Sequence, residues 1–161
     1  MIRKATPADA EQIVDIYNYY VKTSTVTFET TLVTVEDFRQ RILDILKTYP
    51  YLVFEEEGKI LGYAYAGIFR TRVAYRFSSE ASVYIHKDHF KKGIASQLYT
   101  QLLAEMKAQG LKSAIGGITL PNEGSVILHE KFGFKKVAHF EKVGYKFDQW
   151  LDVGFWQLMF D

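Results

Sequence analysis

"EASVYIHKDHFKKGIASQLYTQLLAEMKAQG", residues 80–110, decides how this chain is read. It joins a strand-like segment, "SEASVYIH", to the strongest helical pattern in the sequence. Within "GIASQLYTQLLAEMKAQG", Ile94, Leu98, Leu102 and Met106 recur every four residues, which marks one face of an α-helix. Gly110 stands where a helix stop is expected. Between strand and helix lies a basic turn, "HFKKGIAS", residues 89–96. The first N–H groups of a helix have no partner inside it and point out of its N-terminus. Gly93 and Ala95 have little side chain to block them. Such a turn could seat an anion on backbone N–H groups, with Lys91 and Lys92 adding charge. A plain helix start reads the same way. A Walker A loop is excluded, because no second glycine followed by Lys and Ser or Thr is present.

Working outward, "MIRKAT" predicts a short strand and "TPADAEQIVDIYNYYV" a helix. Pro7 suits the first turn of that helix, and Asp9 and Glu11 suit its positive end. Ile13, Ile16, Tyr17 and Tyr20 share a face. A second helix starts near Thr34, with Asp37 three residues on as in a capping box and Phe38, Ile42, Ile45 and Leu46 as its apolar stripe. "YLVFEE", a turn at Gly58 and "KILGYAYAGIFR" predict a hairpin. Downstream, "LKSAIGGITL" is a strand, and "NEGSVILHEKFG" a short helix ending at Gly133. "FKKVAHFEKV" and "DVGFWQLMF" form a closing strand pair. The order β-α-α-β-β-β-α-β-α-β-β predicts an α/β (α+β) domain, with helices packed on a sheet. No glycine-rich turn follows the first strand, which disfavours a dinucleotide-binding Rossmann domain.

The chain has 161 residues, enough for one domain with a full core, and one domain over 1–161 is expected. A formal net charge of +1 argues against a nucleic-acid binder that works by bulk electrostatics. The absence of cysteine excludes disulfides, thiolate zinc sites and a cysteine nucleophile. The opening "MIRKATPADAEQ" lacks an apolar core of signal-peptide length, and the longest apolar run, in "ILGYAYAGIF", is too short to span a bilayer. A cytoplasmic protein without a membrane partner is expected. His86, Asp88 and His89 are too loosely grouped for a metal site, so no metal is expected.

The succession of strand, "KKGIAS", long helix, strand and "PNEGSVILHEKFGF" resembles the GNAT superfamily of acetyl-CoA-dependent N-acetyltransferases. The family signature on the turn is Gln/Arg-x-x-Gly-x-Gly/Ala. Gly93 and Ala95 match it, whereas Phe90 stands where Gln or Arg is usual. Asn122, Ser125 and the "FGF" at 132–134 match a second block. "TFET" at 27–30, "AYAGIFRTRVAY" at 64–75, "EASVYI" at 80–85, "LPNEGSV" at 120–126 and "DVGFWQL" at 152–158 extend the resemblance to the phosphinothricin and methionine sulfoximine (sulfone) acetyltransferase branch. The resemblance implies a GNAT fold, with a central, mixed but mostly antiparallel sheet flanked by helices. It also implies acetyl-CoA as co-substrate, a small-molecule amine acceptor, a homodimer and a part in antibiotic or herbicide resistance.

The resemblance also implies roles for particular residues. Glu80 becomes the general base, where sequence alone offers only a strand-end glutamate with a reference pKa of about 4.3. Val83, Tyr84 and Ile85 become coenzyme contacts through their backbone, because in the family this strand parts from its neighbour. Lys91, Lys92, Gly93, Ile94, Ala95 and Ser96 become the pyrophosphate cradle, with Asn122 and Ser125 nearby. His129 occupies the place where relatives often carry a general-acid tyrosine, and is read as an acid that protonates the thiolate, as a coenzyme contact, or as a structural histidine. On the acceptor side fall Phe28, Glu29, Arg72, Val73, Ala74, Arg76, Ala81 and Ser82. Arg70, Arg72 and Arg76 are either surface arginines or a clamp for an anionic acceptor, since guanidinium forks suit carboxylate and phosphinate oxygens. With no cysteine to carry an acetyl group, direct attack in a ternary complex is expected. The competing readings are a GNAT enzyme for a polyamine, aminoglycoside or protein N-terminus, and an idle acyl-CoA-binding sensor. The arginines speak against a polycationic acceptor and Glu80 against a sensor.

Overall fold

Four helices and seven strands follow in the expected order: β1 (Ile2–Lys4), α1 (Ala10–Thr23), α2 (Val35–Leu46), β2 (Tyr51–Glu56), β3 (Lys59–Ile68), β4 (Ser78–Ile85), α3 (Ile94–Ala108), β5 (Ser113–Leu120), α4 (Glu123–Lys131), β6 (Lys135–Lys146) and β7 (Gln149–Met159). They come from a computed structural model that describes residues Met1–Asp161. The strands form one sheet in the order β1-β2-β3-β4-β5-β7-β6. Every pairing is antiparallel except β4 with β5. No helix is long and apolar enough to cross a membrane.

The two faces of the sheet carry separate cores, as strand alternation requires. Leu52, Ala64, Ala66 and Ala81 pack against the α3 stripe, in which Ile94, Leu98, Leu102 and Met106 are all 4% exposed or less. Tyr51, Val53 and Tyr63 pack on the other face against Ile13, Tyr17, Phe38 and Ile42 of α1 and α2. Thr34 caps α2 by accepting the Asp37 N–H at 3.1 Å, a contact worth about 0.5–2 kcal/mol.

Two boundaries differ from the sequence reading. The first helix opens with a 3₁₀ turn, Pro7–Asp9, before α1 begins at Ala10. Asp9 does more there than face a helix dipole. Its carboxylate accepts two N–H groups of Arg3 at 2.8 and 2.9 Å and the Thr6 N–H at 2.8 Å. The closing strands are also longer than expected. They meet at a two-residue turn, Phe147–Asp148, with φ of +53° and +57°. Left-handed values at both positions match the right-handed twist of a hairpin. Without glycine or asparagine the turn left little trace in the sequence.

Candidate active site

β4 and β5 pair only over Ser78–Glu80 with Ser113–Ile115, and then part. Beyond Glu80, β4 keeps β3 as its sole strand partner. The opening is walled by Ala81–Ile85 on one side and Gly117–Thr119 on the other, and it enters a cavity of about 500 Å³. The basic turn and the first turn of α3 close one end of it. Gly93 is the N-cap of α3 at φ +76°, a left-handed conformation that only glycine adopts at little cost. The first intrahelical bond runs from Gln97 N to Gly93 O, so the N–H groups of Ile94, Ala95 and Ser96 have no partner inside the helix. Asn122 caps α4 by accepting the Ser125 N–H at 3.2 Å. A cation the sequence reading missed also stands here: Lys131 Nζ donates to Ser96 Oγ at 3.0 Å. It lies nearly forty residues from the turn in sequence, and only the packing of α4 beside α3 reveals it. Phe90 lines the cavity and is half exposed.

A second cavity, of about 820 Å³, lies on the opposite face of β4. Its wall takes alternate residues of that strand: Glu80, Ser82 and Tyr84. Val26, Ser82, Tyr84, Gly117 and Thr119 border both cavities, so the two meet where β4 and β5 separate. Glu80 stands at this junction. Gly67 faces it across the β3–β4 ladder, and its Oε1 is 3.4 Å from where a Cβ on Gly117 would stand. A side chain on Gly117 would crowd the carboxylate. Burial alone pushes the Glu80 pKa above the usual carboxylate value.

His129 is 4% exposed and lies at the wall of the first cavity. Its Nδ1 is 2.8 Å from the Ser125 carbonyl, which can only accept, so Nδ1 carries the proton. Burial holds the imidazole pKa below its ordinary value, which keeps the ring neutral at pH 7. Nε2 is therefore bare and lies 3.1 Å from the Tyr99 hydroxyl, whose single proton is also within reach of the Ala81 carbonyl at 3.2 Å. The ring packs so close to β5 that a Cβ on Gly116 would lie 2.5 Å from Nε2. The structure presents His129 as a neutral ring held between Ser125, Tyr99 and Gly116. Tyr99 was missed because its neighbours Leu98 and Leu102 make it look like core.

The sequence matches the family model of the acetyltransferase (GNAT) domain over residues 2–154. The chain belongs to the GNAT acetyltransferase family. It is 44% identical over 160 residues to a phosphinothricin N-acetyltransferase of Streptomyces viridochromogenes, covering 99% of this chain and 87% of that protein. It is 37% identical over 161 residues to an L-methionine sulfoximine/L-methionine sulfone acetyltransferase of Salmonella typhimurium, covering 99% and 94%. A GNAT phosphinothricin acetyltransferase of Sinorhizobium meliloti, solved in complex with acetyl-CoA, superposes with a TM-score of 0.96 at 34% identity, over 99% of this chain and 88% of that one.

Of the residues expected on the acceptor side, this GNAT chain places some at the larger cavity and others away from it. Phe28 does line the larger cavity, where its ring lies against Gly144. Glu29 does not line it. Its two oxygens accept Arg41 Nη2 at 2.6 Å and Nη1 at 3.0 Å, and it also accepts the Tyr17 hydroxyl. Ala81 faces the α3 side, as alternation along β4 demands, while Ser82 borders both cavities. Arg72, Val73, Ala74 and Arg76 sit on an exposed loop with a 3₁₀ turn at Val73–Tyr75. Within one chain they do not border the larger cavity; Arg70 and Arg72 edge a separate hollow, and the Arg76 guanidinium stacks on Phe77. Aromatic and apolar side chains supply much of the wall instead, among them Tyr65, Phe140, Val143 and Phe155. Three of those come from the closing hairpin, whose course past the β5 edge was not readable from its own pattern.

Proposed function

We propose that this N-acetyltransferase moves an acetyl group from acetyl-CoA to the amine of a small amino-acid-type acceptor, of the phosphinothricin or methionine sulfoximine (sulfone) kind, with both substrates bound together. The observation that carries this reading is the meeting of two cavities at the gap between β4 and β5, with Glu80 at the junction. The smaller cavity suits the coenzyme. Its strand edge freed from β5, its glycine-started helix and its lysines match an extended amide-bearing arm that ends in phosphates, although the Ala81 and Ile85 carbonyls on that edge already accept the Tyr99 and Tyr20 hydroxyls. Val83, Tyr84 and Ile85 would hold the arm by their main chain. Residues 91–96 would hold the phosphates, with Lys131 beside them and Asn122 and Ser125 shaping the α4 end. Bound acetyl-CoA supplies the acetyl group as a thioester. The larger cavity takes the acceptor against Phe28, Ser82 and Tyr84.

Glu80 accepts the amine proton. An unperturbed carboxylate is a weak base at neutral pH, and burial strengthens it. The Tyr99 phenol stays protonated, its pKa raised by burial, and its single proton is taken up between the Ala81 carbonyl and His129 Nε2, so it braces the cleft wall. As the amine nitrogen bonds to the acetyl carbon, the thioester C–S bond breaks and the coenzyme leaves as its thiolate. A clamp by Arg72 and Arg76 requires a second chain or a loop movement, since neither borders the cavity in one chain. A cytoplasmic homodimer is part of this reading. The half-to-mostly exposed Val137, Tyr145, Phe147 and Trp150 of the β6–β7 hairpin offer the apolar surface for it. A thiol-release assay tests the acceptor class. L-methionine sulfone, L-methionine sulfoximine and phosphinothricin should turn over with kcat/KM at least about a hundredfold above spermidine or an aminoglycoside. Equal or better turnover of the polycations would overturn the reading.

A further inference from the structure

The acceptor mechanism above leaves one buried cation unused. Lys146, in the last turn of β6 before the hairpin bend, is 3% exposed. Its Nζ donates to the Ser24 carbonyl at 2.7 Å and to the Thr27 carbonyl at 2.9 Å. Ser24 is the C-cap of α1, so the ammonium also sits at the negative end of that helix. The segment it grips, residues 24–29, contributes Val26 to both cavities and Thr27 and Phe28 to the larger one. Two further contacts bind the same segment. The Phe28 ring lies on Gly144, two residues before Lys146, where any Cβ would collide with it. The Thr27 hydroxyl is 2.7 Å from that of Tyr17.

We infer that Lys146 is a positioning residue for the acceptor: it latches the 24–29 segment onto the closing hairpin and thereby fixes the wall that Phe28 presents to the acceptor. A buried ammonium is costly unless its hydrogen bonds are made. Here both carbonyl partners belong to the segment itself, so Lys146 is satisfied in one segment position only. Opening the segment leaves the charge unpaired. Gly144 acts with it, because it leaves the space that the Phe28 ring fills. The inference rests on the reading that the larger cavity takes the acceptor.

Lys146→Met removes the donors and keeps a long apolar side chain. Gly144→Ala displaces Phe28 without touching the ammonium, and stands in should Lys146→Met fail to fold. For either variant the KM for L-methionine sulfone should rise about tenfold while kcat stays within about threefold and the KM for acetyl-CoA within about twofold, the pattern of lost uniform binding. Hydrogen exchange of the Val26 and Glu29 amides, measured without substrate, should accelerate. Unchanged exchange, or a parallel rise of both KM values, would overturn the latch. Faster exchange with an unchanged acceptor KM would overturn it too, provided turnover still depends on Glu80. Failure of the underlying reading shows separately, as a Glu80→Gln variant that keeps full turnover.

Discussion

At the scale of the residue, Glu80 shows how environment alters an ordinary side chain. Its proposal as a base starts from the likeness of "EASVYI" to a family, because a glutamate at a strand end says nothing by itself. The structure adds burial without a compensating cation, beside Gly117. That burial has a stability consequence. A carboxyl group whose folded pKa is raised takes up protons more readily in the native state. Its ionisation therefore costs stability as pH rises from the unfolded value of about 4.5 through the folded pKa, and the cost persists above it. Glu80→Gln should accordingly melt higher than the parent protein at pH 8, and at nearly the same temperature at pH 4. Calorimetry at the two pH values checks this; equal melting temperatures at pH 8 would contradict it. His129 illustrates the opposite limit of sequence reading. Its position was readable, but its role depends on which ring nitrogen faces a carbonyl, and that is set by packing against Ser125, Tyr99 and Gly116.

At the scale of the element, the strand–turn–helix unit of β4 and α3 was largely legible. A four-residue apolar recurrence and a glycine before it sufficed for the helix, and the left-handed Gly93 completes the cradle. If the cradle holds phosphates, its lysines should act on one substrate only. Replacing Lys91 and Lys92 together by alanine should raise the KM for acetyl-CoA roughly tenfold and leave that for the acceptor within about twofold, less so at high salt, where such charge contacts are screened. Steady-state kinetics in both substrates checks this, and the reverse pattern would refute the placement. The closing hairpin was less legible. Its two-residue turn uses Phe147 and Asp148, and its outward side chains alternate with ones that reach the larger cavity. Period alone cannot tell those two faces apart when both are apolar.

At the scale of the whole molecule, function follows from one departure from regular pairing. A sheet that stayed paired from Glu80 to Ile85 would seal the two cavities from each other. Because β4 and β5 pair for three residues and then diverge, a site on the α3 face and a site on the α1–α2 face share a doorway. Sequence periodicity locates strands but not the point where two of them part, since both flanks remain apolar. Contacts that build the wall of the larger cavity span the chain, from Phe28 to Gly144 and from Lys146 to Ser24, and were invisible for that reason. The exposed arginine loop is the converse case: a charge cluster that looked like a clamp but does not border the cavity within one chain. The most direct test is turnover of Glu80→Gln with acetyl-CoA and L-methionine sulfone, set beside its acetyl-CoA affinity by calorimetry. A base at the junction predicts a kcat lower by about a hundredfold or more with the coenzyme Kd within about twofold of the parent; a kcat within about threefold of the parent would contradict it.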